Sequence, residues 1–314
     1  MRSISVVVPL FNEAASVRQL ACELDAVLTD LGQSWEAIFV DDGSTDGTFE
    51  ELRRVCREHQ AFRAIRMRKN FGKSAALAVG FDAARGSVVV TMDGDLQDNP
   101  QEIPRLLAKL DEGFDLVSGW KETRRDPLSR RVASRLFNVI TGWISGVRLR
   151  DMNCGIKAYR ADVVRGVPLY GELHRFIPVL AHHRGYRVAE LSVDHRQRVH
   201  GRSRYGLERY LRGLLDLITV CFLGRYRYRP LHLFGGIGLL LSTAGFVVLT
   251  YLTALKVSGH AIGQRPLLTL GVLLLVTGFQ FLSIGLIGEL ITRQDEERRA
   301  APDRAALRVD EILE

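Results

Sequence analysis

The chain has 314 residues, 46% of them hydrophobic, a formal charge of +7 and a pI near 9.4. That length allows one large domain or two smaller ones with a sizeable core, and the basic balance points to an anionic partner: nucleic acid, a phosphorylated substrate or an acidic membrane surface. Cys22, Cys56, Cys154 and Cys221 lie far apart with no CxxC spacing, which argues against a disulfide framework or zinc site and fits a reducing cytosol.

Ile4–Val8 reads as a strand, and the short apolar run Val6–Leu10, met at once by Asn12 and Glu13, is not the pattern of a signal peptide. Residues 14–31 read as an amphipathic helix, Ala37–Val40 as a second strand, and 46–59 as a helix capped by Ser44, Thr45 or Asp46. Ala64–Met67 is a third strand, 73–84 a helix and 87–92 a fourth strand. This alternation predicts a doubly wound, mainly parallel α/β sheet with two acidic turns on one edge. The second strand ends in Asp41-Asp42-Gly43-Ser44-Thr45-Asp46-Gly47, and the fourth in Asp93-Gly94-Asp95. Two carboxylates one residue apart, with no His or Cys nearby, are hard ligands suited to Mg²⁺ or Mn²⁺. Turn geometry alone accounts for an Asp-Gly-Asp equally well, with Gly94 letting the backbone bend.

Residues 101–200 predict helices near 101–111, 128–146 and 174–184 and a strand at Val188–Val193. The run from His195 to Arg204 then carries several basic groups among Gly201 and Ser203, a composition that suits wrapping a phosphate. Leu207, Leu211, Leu214, Leu215, Ile218 and Phe222 recur at helical spacing, an interfacial helix ahead of two membrane-length segments. Residues 231–255 carry no formal charge apart from His232, and 266–288 carry none, so each is long enough to cross a bilayer. Arg225, Arg227 and Arg229 before the hairpin and Arg293, Arg298 and Arg299 after it outnumber Lys256 and Arg265 in its linker, which places both ends in the cytoplasm. Glu289 is expected to pair with Arg293. Structural roles are the expectation for Asp46 as a cap, Lys73 as a solvated helix start, and Trp120 and Trp143 as packing residues; His174, His182 and His183 receive no role.

Val8-Pro9-Leu10-Phe11-Asn12-Glu13, Val40–Thr48, Asn70-Phe71-Gly72-Lys73, Asp93–Asp98, Asp151–Arg160 and Arg198–Tyr205 together resemble family 2 glycosyltransferases of the GT-A fold. More narrowly, the chain resembles the polyprenyl-phosphate glycosyltransferases, the dolichol-phosphate mannose synthase group and its undecaprenyl-phosphate relatives. The resemblance implies a GT-A catalytic domain over residues 1–205 with a mixed sheet, interfacial helices over 206–230, a hairpin over 231–292 (spans 231–255 and 266–291) and a charged tail over 293–314. It implies that Pro9, Phe11, Glu13, Val40 and Asp42 hold the donor's nucleoside, and that Asp93, Asp95 and Gln97 hold the diphosphate with its Mg²⁺ or Mn²⁺. Arg198 and Arg204 match a basic pair on the donor phosphates, Lys121, Arg130 and Ser134 the acceptor-phosphate grip, and Asp151 the acid often proposed as catalytic base. At 121 and 204 the Lys and Arg stand where Arg and Lys are frequent, and the two are not interchangeable.

The implied reaction is inverting transfer of one sugar from a UDP- or GDP-linked donor to polyprenyl phosphate at the cytoplasmic face of the inner membrane. No nucleic-acid partner is expected; a homo-oligomer is compatible with the chain. A lipid phosphate is largely ionised at neutral pH and scarcely needs a base, so Asp151 serves as well by positioning the sugar or a basic residue. Two other readings are a processive polysaccharide synthase, for which a Gln-x-x-Arg-Trp segment is missing and two spans are few, and a silent membrane-bound nucleotide-sugar sensor, for which Asp93, Asp95, Arg198 and Arg204 are superfluous.

Overall fold

A computed structural model describes residues 3–121, 141–142, 146–147, 149–167, 169, 171, 173–196, 219, 222, 226, 229–262 and 266–306, with side chains to Gln294. Two compact units divide it, residues 1–221 and 222–314. The predicted helix at 128–146, save its last turn at 141–142, and most of the interfacial region lie outside the described residues, as do Arg130, Ser134, Trp143, Arg198 and Arg204.

In the first unit, β1 (Ser3–Leu10), α1 (Ala14–Asp30), β2 (Ser34–Asp41), α2 (Thr48–Glu58), β3 (Phe62–Arg66), α3 (Lys73–Ala83) and β4 (Val88–Thr91) alternate as the sequence predicts. There follow α4 (Ile103–Asp111), β5 (Leu116–Lys121), β6 (Lys157–Arg160), α5 (Ala161–Gly166), α6 (Ile177–His183) and β7 (Val188–Val193). The seven strands stand in the order β3-β2-β1-β4-β6-β5-β7, all parallel except β6, which runs antiparallel to both neighbours. The sheet is therefore mixed, and β5, β6 and α5 are elements the periodicity did not reveal.

Both faces of the sheet are covered, and the strands alternate to serve them. On β1, Ile4, Val6, Val8 and Leu10 pack with Leu20, Leu24 and Leu28 of α1 and with Leu106 and Leu110 of α4. Val7 points the other way, to Leu77 and Phe81 of α3 and to Tyr159. A period of two sends alternate side chains to opposite layers, and β4, with all four residues buried, is apolar on both. The chain moves outward from β1 through β2 to β3, then returns to place β4 on the other side of β1. This reversal opens a crevice at the carboxyl ends of β1 and β4, the place where open α/β sheets bind ligands.

The second unit is a pair of helices, α7 (Pro230–Val257) and α8 (Pro266–Ala306). Pro230–Val257 and Pro266–Gln294 are long and apolar enough to cross a membrane, with mean hydropathies of 2.0 and 2.2. Leu239, Leu240, Phe246, Phe279 and Leu290 are exposed along them, as lipid-facing side chains are. Glu289 accepts a hydrogen bond from the Leu231 amide at 3.4 Å, satisfying one of the open N–H groups at the start of α7. The two helices touch through small residues: a Cβ on Gly238 would lie 2.7 Å from the Gly278 carbonyl oxygen and 2.9 Å from the Leu282 amide. Backbone this close cannot yield to a side chain. Gly238→Leu is expected to separate α7 from α8, read as loss of cross-linking between cysteines placed on the two helices in membranes.

Candidate active site

The β1 and β2 carboxyl ends are stitched into one loop. Asn12 (φ 58°) accepts the Thr45 amide and donates its own amide to Ser44 Oγ, both at 2.9 Å, and the Glu13 amide donates to Thr48 Oγ1 at 2.9 Å. Asp46 accepts the Thr48 and Ala14 amides, so it shapes the start of α2. Pro9 and Glu13 are half-buried at this edge and Phe11 is exposed. Val40 is wholly buried against Ile38 and Ala76, so its side chain builds the core beneath the edge and not the surface of the crevice. Asp42 has both oxygens engaged, by the amides of Phe71 at 2.8 Å and Gly72 at 2.9 Å, and thereby fixes the loop that delivers Lys73.

Lys73 corrects the sequence reading. It is half-buried, and its ammonium donates to Asp93 Oδ1. Burial would push the Asp93 carboxyl upward, but the Lys73 ammonium beside it, with Lys121 and Lys157 further off, holds its pKa down to about 2. For Lys73 burial opposes the charge, and Asp93 outweighs it, raising the pKa above the ordinary lysine value.

The acidic turn itself is held from below. The Asp93 amide donates to Asp98 Oδ2 at 2.9 Å, and the Gln97 amide to Asp95 Oδ1 at 3.2 Å. The left-handed residue of this turn is the buried Leu96 (φ 62°), not Gly94, whose need for glycine is space: a Cβ there would meet Leu10 Cδ2 at 2.1 Å. Gly155, on the segment entering β6, is closer still to the carboxylates, for its Cβ would fall 2.4 Å from Asp98 Oδ2 and 2.7 Å from Asp93 Oδ2.

On the far side of this turn, Lys121 at the end of β5 contacts His195 Nε2 at 3.0 Å, and His195 Nδ1 lies 3.7 Å from Asp98 Oδ1. The structure thus gathers Lys121, His195 and Asp98 beside Asp93, although the approach of His195 Nδ1 to Asp98 is too long for a hydrogen bond. Arg196, the other described member of the basic run, is committed to Glu23 at 2.6 Å and Asn99 at 2.9 Å, a structural use and not a phosphate wrap. Asp151 is buried and its carboxylate accepts the Asn153 amide at 3.1 Å, while its own amide donates to Glu190. Glu190 also accepts the Arg150 amide at 2.8 Å, and burial still raises its pKa, helped by the charge of Asp151. Trp120 carries the Arg150 guanidinium 4.7 Å above its ring.

A narrow cleft opens beside Asp93, lined among others by Lys73, Asn153, Lys157, His174 and Arg175. His174 Nδ1 and Ser74 Oγ share a hydrogen bond at 2.8 Å, and burial together with the nearby Lys73, Arg175 and Lys157 charges drives the His174 pKa down to about 2, so it is neutral. Neither His174 nor Glu190 carries a local signal, because their partners stand 100 and 40 residues away in sequence.

The donor set fits a hard divalent cation. Asp93 already holds a cation in Lys73, and Gly155 keeps open the space beside its second oxygen. Among the described residues no third His, Cys, Asp or Glu completes a cluster. Remaining positions would fall to water, Gln97 and substrate phosphates, as is usual for Mg²⁺.

The model of glycosyl transferase family 2 matches residues 5–165, and relatives extend the match over nearly the whole chain. A dodecaprenyl-phosphate galacturonate synthase of Rhizobium johnstonii is 42% identical over 306 residues, covering 96% of this chain and 90% of that protein. The chain belongs to glycosyl transferase family 2. An undecaprenyl-phosphate 4-deoxy-4-formamido-L-arabinose transferase of Pseudomonas paraeruginosa is 36% identical, covering 95% of this chain and 88% of its own. Among solved structures, glucosyl-3-phosphoglycerate synthase of Mycobacterium tuberculosis superposes with a TM-score of 0.53 at 20% identity, covering 70% of this chain and 80% of that one. Mannosyl-3-phosphoglycerate synthase of Rubrobacter xylanophilus does so with 0.58 at 19%, covering 70% and 74%. These two share the fold.

Proposed function

We propose that this protein moves one sugar from a UDP- or GDP-linked donor to polyprenyl phosphate, inverting the anomeric carbon, at the cytoplasmic face of the inner membrane. The observation that carries the reading is an acidic pair at the β1/β4 switch point in the same chain as an apolar helical hairpin. Relatives named for dodecaprenyl-phosphate and undecaprenyl-phosphate chemistry match this chain over about nine tenths of their length. Their sugars differ, one an acid and the other an uncharged formamido sugar, so the names leave this chain's sugar open.

In this reading Pro9, Phe11, Glu13 and Asp42 form the nucleoside edge, and Asp93 and Asp95 hold Mg²⁺ or Mn²⁺ with Gln97 beside them. One structural relative was crystallised with Mn²⁺ and UDP-glucose. The ion, when bound, would offset the charge that develops on the departing diphosphate. Arg198 and Arg204 are assigned to the donor phosphates, and Lys121, Arg130 and Ser134 to the acceptor's phosphate. An ionised lipid phosphate is already a nucleophile. Asp151, whose carboxylate accepts the Asn153 amide, is therefore assigned as a positioning residue for the segment ending in Gly155. Residues 1–205 form the catalytic domain, 206–230 an interfacial stretch, 231–292 the anchor and 293–314 a cytoplasmic tail.

The test is to incubate the purified protein with a panel of nucleotide sugars and undecaprenyl phosphate and to identify the lipid product by mass spectrometry. A glycosylated lipid phosphate is the expected product; none from any donor overturns the reading. Asp95→Asn is expected to cut metal-dependent transfer by about 100-fold or more while the protein stays in the membrane fraction. Full activity of that variant, or of the wild type with metal chelated, would remove the metal from the mechanism.

A further inference from the structure

Lys73 opens α3, and its surroundings fix everything about it except its ammonium. Asp42 holds the Phe71 and Gly72 amides ahead of it at 2.8 and 2.9 Å, and Gly72 turns the chain at φ 94°, a backbone state that favours glycine. Behind it, Ser74 Oγ accepts the His174 amide at 3.1 Å. A flexible four-carbon stem carries the ammonium to Asp93 Oδ1, in a pair whose side chains are 33% and 35% exposed. The pair is therefore reachable from the crevice, and the ammonium can leave Asp93 without any movement of the backbone.

Asp93 is also the residue assigned to the divalent ion, so two cations claim one carboxylate. An ion entering at Oδ1 must displace the ammonium. An ion entering at Oδ2, where Gly155 leaves room, meets the ammonium across the same carboxyl group and is repelled by it. Either way Lys73 weakens the ion's hold. An ammonium pushed off Asp93 loses the carboxylate it faced and stays in a half-buried place lined also by Lys157 and Arg175, which is costly. The nucleotide donor removes that penalty, because its diphosphate brings charged oxygens that accept from an ammonium and can also ligate a divalent ion. Ion and nucleotide are then coupled through Lys73, and such coupling is reciprocal.

We propose that Lys73 is a resident counter-cation that makes divalent-ion binding conditional on the nucleotide: it holds Asp93 until the donor's diphosphate arrives, then passes to the phosphates as the ion takes the carboxylate. The proposal rests on the glycosyl-transfer reading above and adds how the ion and the donor of that site depend on each other.

The decisive experiment measures binding, not turnover, on the full-length protein in detergent at fixed pH. Mn²⁺ is followed by electron paramagnetic resonance with and without UDP or GDP, the Mn²⁺–nucleotide complex in solution being subtracted, and each nucleotide by calorimetry with and without Mn²⁺. In the wild type, the nucleotide that binds is expected to tighten Mn²⁺ about tenfold or more, and Mn²⁺ to tighten that nucleotide equally. Lys73→Met is expected to bind Mn²⁺ alone about tenfold more tightly, to bind the nucleotide alone more weakly, and to lose most of the mutual enhancement. Loss of a merely structural residue does not strengthen one ligand while weakening the other. Lys73→Arg, which keeps the charge, is expected to stay near the wild type. Lys121→Met removes an equal charge that touches His195 and not Asp93, and is expected to change Mn²⁺ affinity far less. Unchanged or weaker Mn²⁺ binding in Lys73→Met, or an equal gain in Lys121→Met, overturns the proposal, and a glycosylated lipid made by the wild type then leaves the transferase reading standing. A wild type that binds neither UDP nor GDP overturns both. Should Lys73→Met not fold, the uncharged Lys73→Gln is read in its place by the same signs.

Discussion

Asp93→Asn is expected to lower sugar transfer by roughly 10³-fold, the scale of losing a preorganised charge at a reacting centre. The substitution keeps the shape and the Asp98 contact through the Asp93 amide, so the fold is retained. What it removes is the negative charge that Lys73 faces, leaving Lys73, Lys157 and Arg175 as cations lining one cleft. The double variant Asp93→Asn with Lys73→Met should therefore melt higher than Asp93→Asn alone, a coupling that two independent sites would not produce. Acid titration gives a second handle. The folded pKa of Asp93, about 2, is depressed below the ordinary 3.8, so the stability its charge contributes is fully present above about 3.8 and lost as pH falls through about 2. The melting difference between wild type and Asp93→Asn should close across that window. A difference constant from pH 6 to 2, measured by scanning fluorimetry, would mean that Lys73 does not hold the carboxylate.

The strands that could be read from sequence are those whose environment is uniform. β1 and β4 are buried on both faces, and their unbroken apolar runs announce it. β6 is four residues, Lys-Ala-Tyr-Arg, whose charged ends are a buried lysine and a half-buried arginine, so no period separates it from a loop. β5 contains Gly119 because the side chains of Ile156, Val193 and Cys154 crowd its face, and the glycine looks like a turn in the sequence. The site was legible to the same extent. The acidic pair and its edge follow from strand ends, but Lys73 looks like any solvated helix start until the fold brings Asp93, twenty residues on, against it. The link from Lys121 through His195 to Asp98 spans 74 residues and is made by β5 and β7 lying side by side. Spacing carries no trace of such a contact, and only the sheet order creates it.

Gly155→Ala is expected to damage the acidic turn directly. The new Cβ would stand 2.4 Å from Asp98 Oδ2 and 2.6 Å from Asp93 Cγ, distances at which something must move. Asp98 cannot readily do so, being 2% exposed and holding the Asp93 amide with that same oxygen. Displacing it shifts the backbone of the acidic turn, and displacing Asp93 breaks its pairing with Lys73. Overpacking of this kind costs about 1–3 kcal/mol, which for a catalytic unit of this size lowers the melting temperature by about 2–4 °C per kcal/mol. Transfer should fall further than stability does, by about 100-fold, because a misplacement near 1 Å at the reacting centre has that effect. Gly94→Ala is the control. Its Cβ meets the tip of Leu10, a side chain that can rotate, so its melting temperature should drop while transfer survives better. Measured side by side by fluorimetry and lipid-product yield, the two variants separate crowding of the core from displacement of the carboxylates. Near-normal transfer by Gly155→Ala would show that the placement of Asp93 and Asp98 is not what the reaction needs.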